Sequence, residues 1–191
     1  MNRNKTVIAI TGGIGSGKSA VCDILTKHGE KCISCDKINA ELLLSDDYLN
    51  GLKAIFPDAF CDGKLNKRIL KEYVAYSTEK KKALDKYSHS KIKDKMLEEI
   101  ASSDEARVFV EVPVLNQTDY AALFDKIWVI TSNPHIRCER IINRDSVDGS
   151  FALAMMNAQS EEYDYGDKTV PIRNDGDMDA LEKTVLALIG K

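Results

Sequence analysis

The 191-residue sequence contains no apolar run approaching the ~20 residues that a membrane-spanning helix needs. It also lacks a signal-peptide pattern, because Met1-Asn-Arg-Asn-Lys5 leads into an apolar stretch of only about six residues. Cysteines are few and odd in number (Cys22, Cys32, Cys35, Cys61 and Cys138), which excludes a disulfide scaffold. No excess of one charge exists: 27 basic against 30 acidic residues give a net charge of −3, unlike a dedicated nucleic-acid binder. Repeats and low-complexity linkers are absent, and no N-K-x-D segment of the kind GTPase switches use to read the base occurs. These absences predict a cytoplasmic protein with one domain, or one core carrying a small insert.

What is present is concentrated near the start. Thr11-Gly-Gly-Ile-Gly-Ser-Gly-Lys18-Ser19 matches G-x-x-x-x-G-K-[ST], the phosphate-binding P-loop. Before it, Thr6-Val-Ile-Ala-Ile-Thr11 is β-branched and apolar, the mark of a buried parallel strand. After it, Val21, Ile24 and Leu25 recur at helical spacing, with Gly29 as the stop. The loop glycines let successive N–H groups converge on a phosphate, and the helix N-terminus adds partial positive charge. The pattern predicts nucleoside triphosphate binding by Gly13, Ile14, Gly15, Ser16, Gly17, Lys18, Ser19 and Ala20. Lys18 would reach the β- and γ-phosphates, and the Ser19 hydroxyl would ligate Mg²⁺.

Further along, the pattern predicts strand 31–35, a mostly helical stretch over 37–101, strands 107–112 and 126–131, helices 134–147 and 150–163, a short strand 169–172 and a last helix 178–188. Strands alternating with helices argue a three-layer α/β/α fold with a mostly parallel sheet. The core is expected in 1–36 and 102–191, with a small helical lid at about 137–166. The helical insert 37–101 is far longer than a crossover requires, so it is either a substrate-recognition unit or a plain excursion. Cys32-Ile-Ser-Cys35 is either a redox pair, half of a zinc site with His28 nearby, or small residues filling a strand. The lysine-rich segment Glu79-Lys-Lys-Lys82 reads as a solvated helix face rather than a phosphate site.

Several residues carry candidate chemistry. Asp36, at the end of the second strand, is either a base for an acceptor hydroxyl or the N-cap of a helix starting at Lys37. Arg140 and Arg144, four apart, share a helix face and form either a phosphate clamp or surface pairs with Glu139 and Asp145. Glu111, ending its strand, is placed as a carboxylate for a Mg²⁺-bound water, without a clean Walker B run before it. Gly149 and Gly166 bracket the lid as candidate hinges.

The P-loop segment resembles that of the dephospho-coenzyme A kinases, which open with T-G-G-I-G-S-G-K-S. The resemblance continues in order through Ser34-Cys35-Asp36, Asp62-Gly63-Lys64-Leu65-Asn66-Lys67-Arg68, His89-Ser90, Pro113-Val114-Leu115-Asn116-Gln117, Arg140 to Arg144, Gln159 and Asn174-Asp-Gly176. It implies transfer of a phosphoryl group from ATP, with Mg²⁺, to the ribose 3′-hydroxyl of dephospho-coenzyme A, a small-molecule partner. It further implies Asp36 as catalytic base, Arg68 (or Lys67), His89 and Pro113 at the acceptor, and Asn174 and Gly176 beside the adenine. The chain is divergent within that pattern. Ser34 stands for the first Asp of D-A-D, Ser90 for the Pro of H-P and Gln117 for the Glu of P-L-L-F-E, and Glu161-Glu-Tyr-Asp164 makes the lid acidic. These departures leave two alternatives: a kinase of another nucleotide or small metabolite, or a nucleotide-binding regulatory protein without turnover.

Overall fold

A computed structural model describes residues 5–159 and 162–191. The chain forms two compact units, one of residues 1–34 and 100–191 and the other of residues 35–99. Among the described residues no helix is long and apolar enough to cross a membrane.

The first unit is built on β1 (Thr6–Gly12), whose residues after Thr6 are all buried, as an apolar central strand requires. The P-loop leads into α1 (Lys18–Lys27), then β2 (Lys31–Ser34). After the second unit come β5 (Arg107–Glu111), β6 (Lys126–Thr131) and β7 (Thr169–Arg173). These strands form one sheet in the order β2-β5-β1-β6-β7, parallel at every pairing. Alternate residues of the strands, Ile8, Ile10, Phe109, Trp128, Ile130 and Ile172, meet α1 through Val21, Ile24 and Leu25. They also meet α8 (Met178–Ile189) through Leu181, Val185 and Ile189. The rings of Phe109 and Trp128 lie 5.1 Å apart and tilted, a packing that adds to plain area burial.

Two further helices of this unit bear on the loop. In α6 (Pro134–Asp145), Asn133 caps the N-terminus by accepting from the His135 N–H, and Pro134 opens the first turn. Ser146, at φ 53°, ends α6 earlier than the sequence predicts. Asp148 then caps α7 (Gly149–Asn157) by accepting from the Phe151 N–H at 2.8 Å, so Gly149 sits inside a capped helix. This helix stops at Asn157 rather than at 163. Ile141, Ala152 and Met156 join the two helices in a small apolar cluster of their own.

The second unit contains α2 (Cys35–Leu42), α3 (Asp46–Ile55), α4 (Lys67–Tyr76) and most of α5 (Thr78–Ser102). Tyr48, Leu52, Phe56 and Ala59 form its core, with Leu84 and Tyr87 of α5 packed against them. The stretch expected to be mostly helical also holds a hairpin, β3 (Phe60–Cys61) with β4 (Lys64–Leu65). Asp62 at φ 49° and Gly63 at φ 76° form its two-residue turn, the Asp-Gly signature of tight hairpins.

The C-x-x-C segment also differs from a simple strand. β2 ends at Ser34 and Cys35 opens α2, where its sulfur lies 4.0 Å from that of Met96. Cys32 instead neighbours Cys22 of α1, and hydrogen bonding from that thiol, with burial and the nearby Glu111 and Asp23, pushes the Cys22 thiol up. His28 is engaged by Glu182 at 2.7 Å. Among the described residues no cluster of His, Cys, Asp and Glu has the makings of a metal site, and none of the five cysteines is in a disulfide.

Candidate active site

The P-loop leaves β1 between β5 and β6; the connection out of β1 runs to β2 on one side while that out of β5 crosses to β6 on the other, the kind of switch at which parallel sheets hold ligands. Gly17 caps α1 in the left-handed region, φ 98°, which directs the first N–H groups of the helix into the loop. A Cβ there would stand 2.1 Å from Asn174 Nδ2, so the position has neither the backbone freedom nor the space for a side chain. The Lys18 ammonium donates to the carbonyls of Gly12 at 2.9 Å and Gly13 at 3.1 Å. Ala20 follows within the first turn of α1.

Glu111 links the loop to the neighbouring strands. Ser19 Oγ donates to its Oε1 at 2.9 Å, and Ser34 Oγ to its Oε2 at 3.1 Å. Strand register explains the second bond: Ser34 pairs directly with Glu111 in the parallel ladder, so the two side chains project to the same face. The carboxylate is 7% exposed and holds a hydroxyl on each oxygen. A hydroxyl and a carboxylate are hard oxygen donors of the kind that suit Mg²⁺.

The two arginines part company. Arg140 Nη1 approaches the Gly15 and Ser16 carbonyls and Ser132 Oγ, each at 3.4 Å, and Nη2 lies 3.5 Å from Asn174 Oδ1. Arg144, read either as the clamp partner of Arg140 or as half of a surface pair, makes a two-bonded ion pair with Asp145 at 2.8 and 2.7 Å. It lies in the last turn of α6, where the chain is about to leave the helix, and the carboxylate it pairs with is the next residue. The residue that joins Arg140 at the loop is Arg137, one turn earlier: its Nε donates to the Ile14 carbonyl at 2.8 Å. The sequence reading missed it. The available signal was its i, i+3 spacing from Arg140, which puts both on one face.

Other elements close around the loop. Ile14 N–H donates to Gln159 Oε1 at 2.7 Å. Buried Asn174, just past β7, donates through Nδ2 to the Ser16 carbonyl at 2.8 Å, so its amide is bonded to the loop itself. Next to it, Asp175 accepts from the Asn133 N–H at 2.6 Å and pairs with Arg173; these donors hold its carboxyl below the usual range. Gly176 is exposed in the bend before α8, and Pro113 is half-buried in the turn after β5. Gln117 ends a 3₁₀ turn and is exposed. Of the acidic lid segment, Glu161 lies outside the described residues.

The remaining predicted residues belong to the second unit. Asp36 is exposed in the first turn of α2, which begins at Cys35, so Asp36 is inside the helix and is not its N-cap. A carboxylate there is favoured by the helix dipole. Arg68 is exposed and pairs with Glu72 at 3.4 Å, while Asn66, which caps α4, accepts from the Arg68 N–H. Lys67 opens α4 and is exposed; His89 is half-buried on α5, with exposed Ser90 beside it.

Comparison with known proteins assigns this arrangement. Residues 6–179 match the family model of dephospho-CoA kinase. The chain is 27% identical over 190 residues to the dephospho-CoA kinase of Thermus thermophilus, covering 99% of this chain and 93% of that one. It is 29% identical over 182 residues to the dephospho-CoA kinase of Fusobacterium nucleatum, covering 94% of each. Among solved structures, TT1252 from Thermus thermophilus superposes with a TM-score of 0.83 at 25% identity, over 98% of this chain and 97% of that one. The dephospho-CoA kinase of Campylobacter jejuni superposes with 0.66 at 26% identity, over 97% and 96%. A P-loop whose Ser19 hydroxyl is bonded to a strand-end carboxylate thus stands on a fold shared with named kinases along nearly the whole length, and the chain belongs to the dephospho-CoA kinase family.

Proposed function

We propose that this chain transfers the γ-phosphoryl group of ATP to the ribose 3′-hydroxyl of dephospho-CoA, giving coenzyme A and ADP in coenzyme A biosynthesis. The bond between the γ-phosphorus and the β,γ-bridging oxygen breaks, a bond to the ribose oxygen forms, and the hydroxyl proton passes to Asp36. The observation that carries this reading is the loop itself: Lys18 lies back along it on the Gly12 and Gly13 carbonyls, and Ser19, in the first turn of α1, meets Glu111.

The protein's part in such a transfer is positioning and charge neutralisation. The loop and first turn from Gly13 to Ala20 cradle the triphosphate, with Lys18 on the β/γ oxygens. Arg140, whose guanidinium already lies over the Gly15 and Ser16 peptides, neutralises charge on the transferring group. Ser19 and Glu111 would hold Mg²⁺, which when bound draws charge off the triphosphate oxygens. Asp36 orients or deprotonates the acceptor hydroxyl. Residues 37–101, with Arg68 and His89, serve the acceptor, joined by Pro113; Asn174 and Gly176 border the nucleotide; and the segment 137–166 serves as the lid. The few cysteines, none of them in a disulfide, accord with a reducing cytoplasmic setting.

The test is incubation of the purified protein with Mg·ATP and dephospho-CoA, reading products by mass. Equal amounts of coenzyme A and ADP support the proposal. Nucleotide binding without formation of coenzyme A would redirect the reading to another acceptor, or to a nucleotide-binding protein without turnover.

A further inference from the structure

Arg137 is a cation only 4% exposed, and it is buried against the loop instead of against an apolar core. Its Nε donates to the Ile14 carbonyl at 2.8 Å, while the N–H of Ile14 donates to Gln159 Oε1 at 2.7 Å. The Ile14 side chain packs into the cluster of Ile141, Ala152 and Met156 between α6 and α7. The crest of the loop is therefore held at three points, carbonyl, N–H and side chain, and all three holds come from the segment that begins with α6. Space is the second sign. A Cβ on Gly13 would stand 2.4 Å from Arg137 Nη2, and one on Gly15 would stand 2.7 Å from the Arg137 carbonyl oxygen. The loop and this arginine fit each other at both glycines.

We propose that Arg137 is a positioning residue for the triphosphate, fixing the Ile14 crest so that the loop N–H groups face the phosphates. A preorganised cradle binds phosphate without reordering at the moment of binding, which is where oriented N–H donors gain their strength. The planar guanidinium bonds the Ile14 carbonyl through Nε while the rest of the group packs close to Gly13, a span an ammonium lacks, so Lys is not equivalent here. The inference rests on reading the loop as the triphosphate site.

The experiment measures ADP binding in the presence of Mg²⁺ by calorimetry, with the Michaelis constants for ATP and dephospho-CoA beside it. Wild-type protein that fails to bind ADP overturns the reading of the loop itself. Given binding, Arg137→Met should weaken ADP about tenfold or more and raise the ATP constant in step, leaving the dephospho-CoA constant within about twofold. Arg137→Lys should recover little of this. Gly13→Ala, which presses on the guanidinium from the loop side, should impair ADP binding in the wild type but add less than about twofold in an Arg137→Ala background. Unchanged ADP affinity in Arg137→Met overturns the proposal, as does a loss that falls equally on both substrates. Should Arg137→Met not fold, Gly13→Ala alone decides, and unchanged ADP affinity there rejects the proposal.

Discussion

Ser19 donates its hydroxyl hydrogen to Glu111 across 2.9 Å, tying the helix after the P-loop to the end of the adjacent strand. Truncating the carboxylate in Glu111→Ala strands this hydroxyl and that of Ser34. Unfolding stability should fall by about 1–3 kcal/mol. The enhancement of ADP affinity by Mg²⁺ should shrink, and kcat should fall ~10²-fold or more. Titration of ADP with and without Mg²⁺ checks it; equal enhancement in variant and wild type would exclude Glu111 from the cation site.

Asp36 is exposed near the start of α2, so its removal should disturb the fold little. Asp36→Asn keeps the shape and removes the base. Nucleotide affinity should hold while kcat drops ~10²–10⁴-fold. A variant with wild-type kcat would sink the assignment.

Arg140 and Arg144 predict opposite outcomes despite their shared helix. Arg140→Ala should lower kcat/KM for ATP by ~10–10³-fold, because its guanidinium lies at the Gly15 and Ser16 carbonyls. Arg144 pairs with Asp145 at the surface, and Arg144→Ala should change kcat/KM less than about threefold. Equal losses from the two variants would show that both reach the phosphates during turnover.

Gly17→Ala combines a left-handed backbone with a Cβ 2.1 Å from Asn174 Nδ2. The strain and the displaced Asn174 should abolish measurable ADP binding and lower stability by more than ~1 kcal/mol. Thermal unfolding with and without ADP reads both effects, and an ADP-induced stabilisation matching the wild type would contradict the geometry.

Glu30 gives the stability a dependence on pH. Arg107 bonds both of its oxygens, at 3.0 and 2.6 Å, and Lys191 approaches at 3.0 Å; the Arg107 guanidinium chiefly holds the carboxyl below its usual range. Its folded value is lowered, so the stabilisation is complete above the unfolded value of about 4.3 and is lost as pH falls through the folded value. Glu30→Gln should lower stability by roughly 1–2 kcal/mol at pH 7. The gap to wild type should close as the pH falls below about 4. Denaturant unfolding of both proteins at about pH 7 and about pH 3.5 is the check, and a gap independent of pH would assign the loss to packing.

Much of the site could be read without a structure, and the reasons are local. The loop between β1 and α1 follows from glycine spacing, a β-branched run and a helical period, all set within about twenty residues of chain. The Asp62-Gly63 turn was equally local but lay inside a stretch dominated by helical periodicity, which masked a hairpin whose strands are two residues each. Arg144 stayed open between a clamp and a surface pair because spacing on a helix fixes a face and not a partner; in the structure the adjacent Asp145 holds the side chain.

By itself, then, the sequence determined the phosphate loop, the parallel sheet and a set of candidate carboxylate and basic residues, because strand, loop and helix propensities act between near neighbours. Only the tertiary structure decided which of those residues meet. Glu111 reaches Ser19 and Ser34 because parallel register aligns strands far apart in the chain. Arg137 and Asn174 reach the loop because α6 and β7 pack beside it. Contacts of that kind depend on where whole elements come to rest, and no short window of sequence records it.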